Sequence, residues 1–275
     1  MAKIIKLLNH NAVIVHETQS NQVLLLLHKG IGFGKKINEQ VEIPDDCDLY
    51  HLNPMTPKGA TADLLRKLDP IFIEISSQLL SLAKVQYRNI DENIVLALSD
   101  HIAFAVERMN KGMDIKNPFS NEIKYLYPQE YDIAKHAKDI IKEKLDIEIN
   151  EDEIGYITLH IHSAIDHSVS EGMLVAVIVH ESIYEITKEY GLSFDVNSLS
   201  YARLMTHMKY LLVRLKEQEV IALDMNEYTK NTIPHSYDMA ANIIKKIENA
   251  LSTTISDNEI GYLAIHIERI CQPRS

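Results

Sequence analysis

The pattern of apolar and polar positions changes its period once along the chain. Up to about residue 43 the apolar residues fall in short runs, KIIKLLN, AVIVHE and QVLLLLH, broken by the polar stretches Asn9–Asn11 and Thr18–Asn21. Short Ile-, Val- and Leu-rich runs between such breaks predict a meander of three or four antiparallel strands. GIGFGKK, from Gly30 to Lys36, places three glycines in five residues around Phe33 and reads as a tight turn, with a further short strand near Gln40 to Ile43. Pro54, Pro57 and Gly59 then mark a linker, because proline removes a backbone donor and biases its predecessor away from helix. From about Ala62 onward, segments such as DPIFIEISSQLLSLAKVQY and NIVLALSDHIAFAVERMN carry apolar residues at i, i+3, i+4 and i+7, as amphipathic helices do. Asn150 or Asp152 is expected to cap the helix carrying EIGYITLHI, and Ser256 with Glu259 to form a capping box for a second such helix.

That second helix belongs to an internal repeat. EDEIGYITLHI at Glu151–Ile161 returns as DNEIGYLAIHI at Asp257–Ile267, so His160 lies over His266 at an offset of 106 residues. The same offset superposes His101 on His207, Leu98 on Leu204, Arg108 on Arg214, Tyr131 on Tyr237, Glu153 on Glu259 and Gly155 on Gly261. A period this long with helical patterning predicts two tandem all-helical domains, separated by DHSVSEG at Asp166–Gly172. The expected architecture is therefore a multidomain α and β chain: a small antiparallel β-domain at 1–57 followed by two helical-bundle repeats at 62–168 and 172–275.

Composition fits a soluble globular protein, with 46% hydrophobic and 24% charged residues. No apolar run approaches the roughly 20 residues of a membrane-spanning helix, and Lys3 and Lys6 inside the opening apolar run speak against a signal peptide. Cys47 and Cys271 lack metal or redox spacing, which fits a reducing cytoplasm. A net charge of −11 argues against a nucleic-acid partner until its distribution is read. Residues 1–36 hold five lysines against Glu17 alone, a net of +4, which leaves about −15 for the remainder. A basic head on an acidic body points to a separate binding module. At about 55 residues that module has little core of its own, and dimerisation through one sheet face is the simplest remedy.

The four registered histidines carry the candidate chemistry. On helices, Arg108 sits two turns after His101 and Glu153 two turns before His160, and the second repeat keeps both spacings. Three readings compete with satisfied core histidines. A metal site would need three or four ligands, yet His160 and His162 at i and i+2 face apart and the counterpart of His162 is Glu268, so no metal is expected. A hydrolase or nucleotide-binding enzyme would need an elbow serine, a P-loop or a dinucleotide fingerprint; the chain shows none, so neither enzymatic activity nor a cofactor is expected. Phosphoryl acceptance needs only a neutral imidazole near pH 7, and Arg108 and Arg214 are spaced to meet the added charge.

The motifs LNHNAVIV and KGIGFGKK in the head, DHIAFAVER and GYITLHIHSA in the first repeat, and THMKYLLVR and GYLAIHIER in the second resemble those of the BglG/SacY-type transcriptional antiterminators over nearly the whole chain. The combination of GIGFGKK, NPFSNEIKYLYPQEY and LHIHSAI is most similar to the branch that controls a glucose permease operon. The resemblance implies an N-terminal CAT-type RNA-binding domain and two regulation domains (PRDs) of the sugar-phosphotransferase system (PTS). It implies a cytoplasmic homodimer that binds a leader mRNA hairpin and prevents a terminator from forming. Phosphorylation at His101, His160, His207 and His266, by the sugar permease (EII) and the phosphocarrier HPr, would control dimerisation. The RNA-contacting positions it implies are Lys6, Asn11, Lys29, Gly30, Phe33, Lys35 and Lys36, a set suited to stacking on unpaired bases and contacting phosphates. His10 stands where many members carry asparagine and Lys29 where some carry arginine, which implies a different preferred hairpin. Two alternatives from other classes are a DNA-binding activator carrying the same regulation domains and a histidine-dependent metalloenzyme.

Overall fold

The computed structural model describes residues 2–17, 20, 22–51, 68–166, 171–191 and 195–271. The predicted linker around Pro54, Pro57 and Gly59 and most of the inter-repeat stretch lie outside the described residues. Among those described, five strands come first: β1 (Ala2–Leu7), β2 (Ala12–Glu17), β3 (Gln22–Leu27), β4 (Gln40–Val41) and β5 (Asp48–His51). They form one antiparallel sheet in the order β4-β1-β2-β3-β5, with a register shift between Ile4 and Lys6. The meander and its short fourth strand are as expected; β5 is additional, since DLYH is too short and too polar to signal a strand without its partner β3.

Both faces of the sheet are covered, which explains why AVIVHE and QVLLLLH read as continuous apolar runs and not as alternating ones. On one face Ile4, Val13, Val15, Leu24 and Leu26 pack with Ile31 of the glycine-rich loop and Val41 of β4. On the other, Ala12, Ile14, Leu25, Leu27 and Tyr50 pack against Leu68, Ile73, Leu80, Ile94 and Val95 of the helical part.

The helices are α1 (Pro70–Gln86), α2 (Ile94–Asn110), α3 (Ser120–Leu126), α4 (Pro128–Leu145), α5 (Glu151–Asp166), α6 (Glu171–Tyr190), α7 (Leu199–Glu217), α8 (Asn226–Thr232), α9 (Pro234–Leu251) and α10 (Asn258–Cys271). Local chemistry starts several of them: Asp69 accepts from Ile71 N at 3.0 Å ahead of Pro70 at N1, and Asn150 Oδ1 accepts from Glu153 N at 3.0 Å. Asn150, and not Asp152, therefore caps α5. The expected capping box at Ser256 and Glu259 is replaced: Glu259 N bonds the Ser256 carbonyl at 2.9 Å while both carboxylate oxygens face Arg214. A half-buried guanidinium, held bidentately, outcompetes a solvated helix end for that carboxylate.

Two compact units result, one holding residues 1–116 and 129–169, the other 117–128 and 170–275. In the first, Ile75 and Leu79 of α1, Leu98, Ile102 and Val106 of α2, Ala134, Ala137 and Ile141 of α4, and Ile154, Ile157 and Ile161 of α5 form the core. α1 also turns Ile73 and Leu80 to the sheet, so it is apolar nearly all round. In the second, α6, α7, α9 and α10 supply the corresponding buried positions, among them Val179, Leu204, Ile243 and Leu263. Helix α3 belongs to the second unit, where it packs on α6 and α7, although it precedes α4 in sequence.

A close approach fixes the glycine-rich loop of the β-module. A Cβ on Gly32 would lie 2.3 Å from the Asn9 carbonyl oxygen and 3.1 Å from Val13 Cγ1, both parts of the sheet's own frame. We expect Gly32→Ala to destabilise the protein by about 1–3 kcal/mol, as overpacking against backbone does, measured by urea unfolding against the parent.

Candidate functional site

In each unit a helix pair carries the registered residues, α2 on α5 and α7 on α10. In the first, the His101 and His160 rings lie 5.1 Å apart between centroids, and His101 is 5.7 Å from the Tyr156 ring. Glu153 reaches both elements of α2. One of its oxygens takes Arg108 Nη2; the other is 3.2 Å from His101 Nε2, without the alignment of a hydrogen bond. Phe104, one turn from Arg108, lies under the guanidinium at 4.7 Å.

The second pair is the same constellation, closed more tightly. Arg214 grips Glu259 bidentately, Nε to Oε1 at 2.6 Å and Nη2 to Oε2 at 2.8 Å. His207 is left 4.0 Å from Glu259 and stacks on His266, with ring centroids 4.5 Å apart and planes at 29°. The His207 side chain is 8% exposed against 17% for His101. Gly261, the glycine of the repeated GY motif, lets the start of α8 approach: a Cβ there would be 2.9 Å from the Met225 carbonyl carbon, and Gly261 N donates to Asn226 Oδ1 at 3.0 Å.

The electrostatics keep His160, His207 and His266 neutral. Burial, then the neighbouring His101, pushes His160 down to about 4. Burial, then His266 and Arg214, pushes His207 down to about 3, and burial with Arg269 and Arg203 lowers His266. Burial opposes ionisation of Glu153, but His101 and Arg108 outweigh it and hold the carboxyl below its usual range. Each constellation thus offers neutral imidazole nitrogen beside a buried arginine–carboxylate pair. No group of three or more His, Cys, Asp or Glu among the described residues is arranged to hold a metal ion. His162 turns away from His160 to Glu130, at 3.2 Å, and its counterpart pair is Glu268 accepting from Ser236 at 2.7 Å.

The β-module brings a second set together. Asn11 Oδ1 accepts from Gly30 N at 2.8 Å, and Gly32 N donates to the His10 carbonyl at 2.9 Å, so the loops 9–11 and 28–36 are tied side by side. Phe33 is 70% exposed, with its ring edge-on to His10 at 5.3 Å. Lys29 and Gly30 with Lys35 line a depression of about 520 Å³, and Lys36 is exposed beside them. Lys6 stands apart on β1, half-buried and opposite Ile14. An exposed aromatic on a lysine-bearing loop has no use in a core; it suits stacking on a base.

The CAT RNA binding domain family matches residues 2–53, and the PRD domain family matches 74–164 and 180–270, the two PRD spans being offset by the same 106 residues as the histidines. The protein GlcT of Staphylococcus haemolyticus is 34% identical over 95% of this chain and 93% of its own. The GlcA/glcB genes antiterminator of Staphylococcus carnosus is 32% identical over 97% and 95%, and the beta-glucoside operon antiterminator of Dickeya chrysanthemi 29% over 98% and 96%. The chain belongs to the CAT–PRD antiterminator family. A crystal structure of GlcT CAT-PRDI superposes on the antiterminator with a TM-score of 0.52 at 37% identity, over 60% of this chain and 98% of that one. The expected fold, a small antiparallel β-domain ahead of two PRD repeats, agrees with these matches.

Sequence reasoning placed the four histidines and both arginines but missed what the glutamates do. Glu259 was read as a cap partner and Glu153 only as sharing a helix face with His160; the packing of α5 on α2 and of α10 on α7 is what sets each against an arginine. Asn9 was likewise read as a polar break, although its Oδ1 accepts from Asn11 N at 2.7 Å and so orients the residue that holds Gly30.

Two outcomes follow from this geometry. Arg108→Ala leaves Glu153 buried without its cation, and should cost roughly 3–5 kcal/mol in chemical unfolding. A histidine whose folded pKa is depressed loses stability as pH falls from its unfolded value of about 6.5 toward its folded one. For His207 the window runs from about 6.5 to about 3. His207→Asn should therefore reduce the stability lost between pH 7.5 and pH 5 by about 1–2 kcal/mol, read from paired denaturation curves.

Proposed function

We propose that the antiterminator binds a hairpin in its own leader mRNA through the β-module and is switched by phosphorylation of its histidines, acting as a regulator and not as an enzyme. The observation that carries the RNA reading is Phe33: exposed, held on a loop tied to Asn11, and flanked by Lys29, Lys35 and Lys36. Phe33 stacks on an unpaired base; Asn11 and the Gly30 backbone read an edge close by; the lysines meet phosphates, and Lys6 contributes charge from β1. We place the domain boundaries at 1–57, 62–168 and 172–275. The protein works in the cytoplasm as a homodimer without a cofactor. Among the described residues no helix is long and apolar enough to cross a membrane.

His101, His160, His207 and His266 are the acceptors we assign. A ring nitrogen attacks the phosphorus of a phosphohistidine on the phosphocarrier HPr or of a phosphorylated sugar permease; the new N–P bond forms as the donor's bond to phosphorus breaks, the acceptor's ring proton passes to water and the departing donor atom takes one up, so both partners end neutral apart from the phosphoryl group. The depressed pKa values of His160, His207 and His266 keep them in the nucleophilic form at pH 7. The product brings about −1.5 to −2 charges to a glutamate already buried there. Repulsion from Glu153 or Glu259, together with competition for Arg108 or Arg214, separates the helix pair. His207, nearly sealed from solvent, must open first, which makes it slower to charge than His101.

The deciding experiment is a gel shift of the full chain on its leader RNA hairpin and on a DNA duplex of the same sequence. RNA preference is expected; preference for the duplex, or no RNA binding, overturns the reading in favour of a DNA-binding activator or neither. Phe33→Ala should weaken RNA binding by about 1–3 kcal/mol. Incubation with phosphotransferase proteins should label the histidines, and loss of label on His→Ala substitution would assign each one.

A further inference from the structure

One face of the β-module is closed by its own residues, Ile31 of the glycine-rich loop and Val41 of β4 among them. Among the described residues the opposite face, Ala12, Ile14, Leu25, Leu27 and Tyr50, is the other broad apolar surface of the sheet, and α1 and α2 cover it. Polar contacts rim this seam. Tyr50 Oη and Ser77 Oγ are 2.7 Å apart, Ser77 Oγ donates to Asp48 at 3.0 Å, and Asn9 Nδ2 donates to Glu74 Oε1 at 3.0 Å. Glu74 also lies 3.6 Å from Lys144 of α4 through its other oxygen. A line of contacts therefore runs from α4 through Glu74 and Asn9 to Asn11 and Gly30, that is, from the first PRD into the loops assigned to RNA.

The second repeat indicates that this helical face is a seat and not an accident of one packing. At the 106-residue register Glu74 corresponds to His180 and Val95 to Tyr201. His180 Nδ1 and Tyr201 Oη are each 3.2 Å from Glu122 Oε1 of α3, and Tyr125 of α3 packs on the Tyr201 ring at 5.5 Å. In each unit the first helix pair is thus capped at the same positions by a segment that precedes it in the chain: a sheet in one, a short helix in the other. A seat that accepts two unrelated covers recognises apolar surface with a few polar anchors, and such a contact can be exchanged.

We propose that the α1/α2 face holds the β-module as a closed monomer, and that the same sheet face of a second copy is the competing occupant. The sheet cannot leave its face in water, and the other face is already sealed, so release from α1 and α2 requires a replacement. An identical sheet is self-complementary about a two-fold axis and buries the same residues. Seam and dimer are mutually exclusive, which makes Glu74 and Ser77 positioning residues for assembly. This rests on the reading that the dimer is the RNA-binding form.

The test is the monomer–dimer constant of the full, unphosphorylated chain by analytical ultracentrifugation, which needs no RNA. Glu74→Ala with Ser77→Ala removes helix-side anchors and leaves the sheet intact; since two seams open per dimer, dimerisation should tighten roughly ten- to hundredfold. Tyr50→Phe, which loses only the hydroxyl, should tighten it severalfold and decides the matter if the double variant misfolds; Glu74→Gln, which keeps the acceptor, should match the parent. An unchanged or weaker constant in the double variant, or in Tyr50→Phe where that alone folds, overturns the proposal. A gel shift on the leader hairpin separates the two readings: tighter dimers that bind no RNA retain the seat and sink the RNA function, whereas RNA binding with an unmoved constant does the reverse.

Discussion

The buried arginine–carboxylate pair is the interaction on which each regulation domain depends. A glutamate with almost no solvent access is tolerated only because a guanidinium from the facing helix neutralises it. That requirement joins α2 to α5 and α7 to α10 at a fixed height, and it is what brings the histidines face to face. It also sets their chemistry. The site is dry enough to keep imidazole neutral, yet it contains one fixed cation and one fixed anion whose balance a phosphoryl group would upset.

The two copies differ in how much of that balance is already committed. Arg214 takes both oxygens of Glu259, so His207 is left to stack on His266. Arg108 takes one oxygen of Glu153 and shares its face with Phe104, so His101 stays beside the other oxygen and partly open. Identical residues at identical spacing thus leave His101 partly exposed and His207 nearly sealed.

Coupling from these sites to the head has a physical route. α2 carries His101 and Arg108 in its later turns and Ile94 and Val95, which touch the sheet, in its first. A helix is stiff along its length, so separating α2 from α5 at one end disturbs the seam at the other. In the proposed switch the acidic body and basic head stand in a simple relation: charge added to the body would act on packing, and packing on what the head can present.

Much of this was legible in the residues. The change from strand-like runs to helical spacing, the 106-residue register and the lysine-rich glycine loop determined the order of domains, the four histidines and the module that meets RNA, because each depends on local periodicity or on repetition. β5 was not legible, since a four-residue polar strand exists only through its pairing with β3. Nor was the capping role of Ser256 and Glu259, which a buried partner 45 residues away overrides. Which sheet face meets α1 and α2, and that α3 sits with the second repeat, were not legible either. Those outcomes belong to tertiary structure alone: local pattern says that a surface is apolar and must be buried, but only the competition among all apolar surfaces of the chain decides against what.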